Sequence, residues 1–115
     1  MSIVVGEVGK AFRLSTNGFD MSAYSGLTLN FTKPDGSTLT KTEASANPVS
    51  APATALVNDP DLGNQAASTY FEFTTIATDF DQSGTWEVCG IYTDATPKIY
   101  HTIASYSFEV LPACS

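Results

Sequence analysis

The sequence predicts an all-β fold: a single immunoglobulin-like antiparallel β-sandwich of about seven strands spanning residues 1–115. Three observations carry that expectation. Hydropathy alternates with period two in several short windows, and no window of a dozen residues keeps apolar positions at i, i+3, i+4 and i+7. Thr, Val, Ile, Tyr and Phe are favoured over Leu, Lys and Glu, a choice that suits pleated surfaces better than helices. Clusters of Gly, Pro, Asn and Asp separate the alternating windows, as turns separate strands. With 115 residues there is material for one core and none for a second domain.

The first strand region runs from Ile3 to Ser15 and is broken by Gly6 and Gly9, which predicts a bulge or a switch between sheets. Phe12 and Leu14 share one face and Arg13 takes the other. In GLTLNFTKPDGSTLTKTE, Leu27, Leu29 and Phe31 point one way and Thr28, Asn30 and Thr32 the other. Pro34, Asp35 and Gly36 then supply the fixed φ, the local side-chain acceptor and the positive φ of a tight turn. The return strand, Ser37 to Thr42, is Thr-rich and reads as a solvated edge with Lys41 exposed.

Residues 43–68, EASANPVSAPATALVNDPDLGNQAAS, show little periodicity beyond a short strand at Thr54 to Val57. A long Ala/Pro/Ser-rich loop is unusual in a compact domain, and such loops are either functional or disordered. If ordered, it is the expected partner-contacting part of the chain. Alternation returns with Phe71 and Phe73, then with Trp86, Val88, Gly90 and Tyr92, while Glu87, Cys89 and Ile91 face the other way. In the last strand Tyr100, Tyr106, Phe108 and Val110 form one stripe and Ile99, His101 and Ile103 another. Either both faces are covered near residue 100, or a bulge between Ile103 and Tyr106 flips the parity. The expected core is Phe12, Leu14, Leu27, Leu29, Phe31, Phe71, Phe73, Trp86, Val88, Tyr106 and Phe108.

Charge and chemistry narrow the function. Twelve acids against five bases give a net charge of -7, which repels nucleic acid and anionic membrane surfaces, so neither is expected as a partner. MSIVVGEVGK lacks the basic and apolar regions of a signal peptide, and no window approaches the ~20 apolar residues of a membrane span. Synthesis in the cytoplasm is expected, with Cys89 and Cys114 starting as thiols. The stretch DQSGTWEVCG has the look of an immunoglobulin core strand, but Cys89 has the parity opposite to Trp86 and no earlier cysteine exists to pair with it. When Trp86 stands at the corner position, Val88 falls where the core cysteine would be, and Cys114 is the sole possible partner for Cys89.

Catalysis is not expected. His101 is the single histidine and has no GxSxG-type serine motif to serve, so no nucleophile, base and orienting group can be assembled. Cys89, Cys114 and His101 fail the count and spacing of a zinc site. NDPDLGN groups Asn58, Asp59, Asp61 and Asn64, but turn chemistry explains them better than calcium ligation. Asp79 and Asp81 read the same way, and GEVGK lacks the ending and the following helix of a phosphate loop. No metal, cofactor or catalytic residue is expected.

The stretch VGEVGKAFRLSTNGFDMSAYSGLTLNFTKPDGST resembles the amino-terminal module of tailed-phage baseplate upper proteins. The counterparts are the turn at Asn17 and Gly18, the stretch Asp20 to Ser22, the strand Leu27 to Phe31 and the hairpin Lys33 to Ser37. TYFEFTTIATDFDQSGTWEVCGIYTD resembles that family's second half, an aromatic strand followed by an acidic turn and a strand start. The resemblance implies an immunoglobulin-like sandwich without catalytic activity that joins other virion structural proteins, in several copies around a symmetric baseplate, tail or capsid. It implies a virion location and transfers no functional residue, since the matched positions are core and turn positions. A baseplate upper protein continues into further modules where this chain reaches Ser115, so capsid decoration, a place on the tail and a small adaptor stay open beside the baseplate.

The competing expectation is a carbohydrate-binding sandwich that recognises host surface glycans through Tyr24, Tyr70, Tyr92 and Tyr100. An adhesin or pilin-like subunit is a third, disfavoured by the missing signal peptide.

Overall fold

The computed structural model describes residues 3–96 and 98–113, and the side chains of all of these except 101–103. The strands are β1 (Ile3–Val4), β2 (Ala11–Ser15), β3 (Tyr24–Thr32), β4 (Thr38–Thr42), β5 (Leu56–Asp59), β6 (Gly63–Gln65), β7 (Tyr70–Thr74), β8 (Gly84–Asp94) and β9 (Ile99–Leu111). One sheet has the order β1-β9-β8-β3-β4, and β2 pairs with β7 in the second. The Ser50 bridge to Glu72 adds a third row to that smaller sheet. The fold is the expected all-β, immunoglobulin-like sandwich, with β5 and β6 as an added hairpin.

Local sequence explains most elements. Gly6 and Gly9, at φ of 78° and 82°, turn the chain from β1 in the large sheet to β2 in the small one, the switch that the glycines predict. β3 and β4 meet at the Pro34–Gly36 turn, where Gly36 N–H donates to Lys33 C=O at 2.9 Å and Asp35 Oδ1 accepts from Ser37 N–H at 2.9 Å. Leu27, Leu29 and Phe31 face inward along β3, as Trp86 and Val88 do along β8, and all five are essentially without solvent exposure. Phe12 and Phe73 approach from the small sheet, with Phe12 ring centroids 5.3 Å from both Phe31 and Phe108. Phe80, which alternation did not single out because it lies in a loop, packs 5.2 Å from Trp86 and closes one end of this aromatic core.

Trp86 donates its Nε1–H to Gln82 C=O at 2.9 Å, four residues upstream. A corner tyrosine in an immunoglobulin domain makes the equivalent bond from its hydroxyl, and here an indole does the same job two positions before the buried Val88. Cys89 carries a free thiol on the outer face, across from Asn30 and Ser105, as its parity requires. Cys114 lies outside the described residues.

The parity question in β9 has a third answer. Gly90 pairs with Ala104 and Tyr92 with Tyr100, so two steps along β8 span four along β9. An even excess leaves the inward parity unchanged: Tyr100 is half-buried against the core, and Ala104, Phe108 and Val110 are buried. The irregularity therefore sits between Tyr100 and Ala104, ahead of the expected position, and it flips nothing.

Three expectations are corrected. Tyr106 has inward parity and yet is 42% exposed, because β9 lies at the open side of the sandwich and nothing covers the ring from β2. Lys41 is buried, not solvated: β4 is an edge strand, but Leu39 and Lys41 point inward under its threonines. Residues 43–68 form an ordered cover. Val49 and Ala51 enter the core, Ser50 pairs with Glu72, and the short strand falls at Leu56–Asp59 instead of Thr54 to Val57.

Candidate functional site

The open side of the sandwich is where the chain has unused surface. The small sheet ends at β2 and the large sheet continues to β9, so a seam separates the two edge strands. β1 closes that seam only at its end, pairing Ile3 with Val110 and Val4 with Leu111. A groove of about 200 Å³ remains there, walled by Leu14, Leu62 and Tyr106 and fringed by Arg13, Ser15, Asn17, Asp61 and Ser105.

Each wall has a local cause. Arg13 has outward parity on β2, and its guanidinium spans Glu72 on β7 at 2.6 Å and Asp59 on the hairpin at 3.0 Å. The Glu72 hydrogen bond is the main influence that raises the Arg13 pKa above its ordinary value, so the group is a fixed cation. Asp59 also accepts from Leu62 N–H at 2.9 Å and Asp61 N–H at 3.1 Å. The Leu62 amide is the largest cause that holds its carboxyl below the usual carboxylate range. With Asn64 accepting from Asn58 N–H at 2.8 Å, the polar residues of NDPDLGN build the hairpin turn and clamp it to β2. Asn17 and Gly18, at φ of 56° and 95°, bend the chain away after β2 and set the groove's far lip.

Tyr106 stacks on Phe108 at 5.9 Å with 9° between the ring planes, and its other surface faces the groove. Edge position explains its exposure, and edge position is a non-local property that alternation cannot report.

The four tyrosines proposed for glycan contact are dispersed. Tyr70 is 1% exposed under the 43–68 cover and donates its hydroxyl to Thr54 C=O at 2.8 Å; burial raises its phenol pKa. Tyr92 is 4% exposed in a cluster with Phe19 and Tyr100, where burial and then the Asp94 charge raise its phenol pKa. Tyr24 is exposed and Tyr100 half-buried, so the four provide no common platform. The side chain of His101 lies outside the described residues. Asp79 is buried, accepting from Ile76 N–H at 3.0 Å and pairing with Lys41 at 2.5 Å, while Asp81 pairs with Lys33 at 3.0 Å on the surface. Both carboxylates are held in turn and ion-pair roles.

The fold and seam define a class, the immunoglobulin-like sandwich with an open edge. No family model matches the chain, and neither a curated protein nor a solved structure matches it.

Proposed function

We propose that this protein is a non-enzymatic structural or adaptor component of a tailed-phage particle, joining neighbouring virion proteins through protein–protein contacts. The reading is supported by the resemblance to baseplate upper proteins, whose matched positions in the first stretch fall on turns and a core strand of the sandwich. Asn17–Gly18 is a turn with positive φ at both residues, Ser22 N–H caps onto Asp20 Oδ1 at 2.9 Å, Leu27–Phe31 is a core strand, and Lys33–Ser37 closes a hairpin. The role in baseplate, tail or capsid rests on the resemblance, and the acidic surface supports protein partners over nucleic acid or lipid. The contact surfaces of this reading are the β5–β6 hairpin, whose Val57 is 75% exposed, the sheet edges and the N-terminal residues.

Mass spectrometry of purified particles tests it: the chain is expected among the virion proteins, and its absence from intact particles sinks the proposal. A glycan-binding role keeps one point in its favour, the exposed Tyr106 ring beside the polar groups of the groove.

A further inference from the structure

We infer that the β9 edge is an acceptor for an extended strand of a partner protein, and that the partner segment alternates apolar residues with basic ones. The inference deepens the interaction reading above and names the form of the partner, and it stands independently of the phage assignment.

Backbone direction comes first. Val5 N–H donates to Leu111 C=O at 3.0 Å, so the backbone groups of Leu111 face the β1 side. Successive residues of a strand direct these groups to opposite edges, and β9 keeps unbroken register with β8 from Val110 to Ala104. The N–H and C=O groups of Ser105, Ser107 and Glu109 therefore face the same side as those of Leu111. β1 occupies that side at the end of β9, where the Ile3–Val110 and Val4–Leu111 register engages the C=O of Glu109 and both backbone groups of Leu111; the outward groups of Ser105 and Ser107 lie beyond β1 and pair with no described strand. Both serines are exposed.

The other edge of the same sheet is treated differently. On β4 the outward groups of Thr42 are consumed by the following loop, Thr42 N–H bonding Ser45 Oγ at 2.9 Å and Thr42 C=O accepting from Val49 N–H at 3.1 Å. Proteins blunt edge strands with lysine, proline, bulges or covering loops. From Ser105 to Ser107 β9 has no lysine, no proline and no bulge.

The surroundings specify the occupant. A strand laid against Ser105–Ser107 directs alternate side chains to the two faces of the sheet. Those on the inner side enter the groove at Tyr106, Leu14 and Leu62 and are best apolar. Those on the outer side lie beside Glu109, with Glu87 next to Ser107 one strand further in, on a chain of net charge -7. Basic residues complement that side. Main-chain bonds supply affinity and the groove supplies specificity, the division of labour of strand addition.

The test uses the full chain, labelled with nitrogen-15, and three probes: a capped heptapeptide of alternating valine and lysine, its valine–glutamate counterpart, and N-acetylglucosamine. The lysine peptide is expected to shift the amides of residues 105–109 and slow their hydrogen exchange. Ser107→Pro is expected to weaken binding by about tenfold or more, because it deletes an outward N–H that no ladder bond within the domain uses. Tyr106→Lys, at an exposed position, is expected to weaken it similarly by placing a cation in the groove. If Ser107→Pro does not fold, Tyr106→Lys decides. No shift at residues 105–109 at about 1 mM lysine peptide, equal binding of the glutamate peptide, unchanged binding in the variants, or a response to the sugar alone would each overturn the inference. Particle mass spectrometry fails or succeeds separately, so the strand acceptor and the virion assignment are distinguishable.

Discussion

Lys41 shows how a single side chain escapes a reading based on its neighbours. Surrounded by threonines on an edge strand, it carries every local sign of a solvated position. In the fold its stem lies over Phe73, with Nζ 5.7 Å from the ring centroid, and its ammonium meets Asp79 at 2.5 Å and Asn47 Oδ1 at 2.7 Å. Asn47 returns a bond from Nδ2 to the other Asp79 oxygen at 2.8 Å, so the buried cluster is fully satisfied. Removing one member leaves a charge in a dry place. Lys41→Ala is expected to cost about 3–5 kcal/mol, measured by urea denaturation; a loss no larger than that of an ordinary surface substitution would show that Asp79 recovers its hydration. Lys41 shares its strand parity with Leu39, and both point inward. Its partner lies 38 positions away in sequence, from 41 to 79, and this is why composition misled.

Among the elements, β8 is the most constrained. Its inward row is Trp86, Val88, Gly90 and Tyr92, and the gap left by Gly90 is filled by Phe71 from the facing sheet. A Cβ at position 90 would lie 2.6 Å from the Phe71 ring, nearer than packed atoms come. Gly90→Ala is therefore expected to destabilise by about 1–3 kcal/mol. Combining it with Phe71→Leu should recover part of that loss, which a double-mutant cycle reads directly. The elements legible in the sequence were those whose signals are local: the alternating rows of β3, β7 and β8 and the turns at Asn17–Gly18 and Pro34–Gly36. The middle segment was illegible because its order comes from distant partners. Ser68 N–H bonds Pro52 C=O, Tyr70 reaches Thr54, and Arg13 holds Asp59, so nothing within residues 43–68 announces that the segment is tied down.

For the molecule as a whole, the sandwich was readable and the seam was not, since a groove arises from which strands fail to meet. Composition also predicts the response to acid. Asp35, which accepts from the Ser37 hydroxyl, the Ser37 amide and Gln82, has its pKa lowered from 3.8 to about 2. Asp94, held chiefly by the Thr96 hydroxyl, and Asp59 are lowered as well. A carboxylate with a folded pKa below its unfolded value stabilises the fold above the unfolded value and loses that effect as pH falls toward the folded one. The melting temperature is expected to hold from neutrality to about pH 5, then to fall between about pH 4 and pH 2. Calorimetry across that range checks it, and a melting point that stayed level to pH 2 would mean these carboxylates keep no advantage from their folded partners.

The closure of the two sheet edges has a consequence for assembly. β9 is closed by β1 from Glu109 onward and leaves Ser105 and Ser107 outward, while β4 is closed at Thr42 and leaves Thr38 and Thr40. A partner strand on β9 would extend the large sheet and meet the end of β1, so the position of β1 sets how far along β9 such a strand can run.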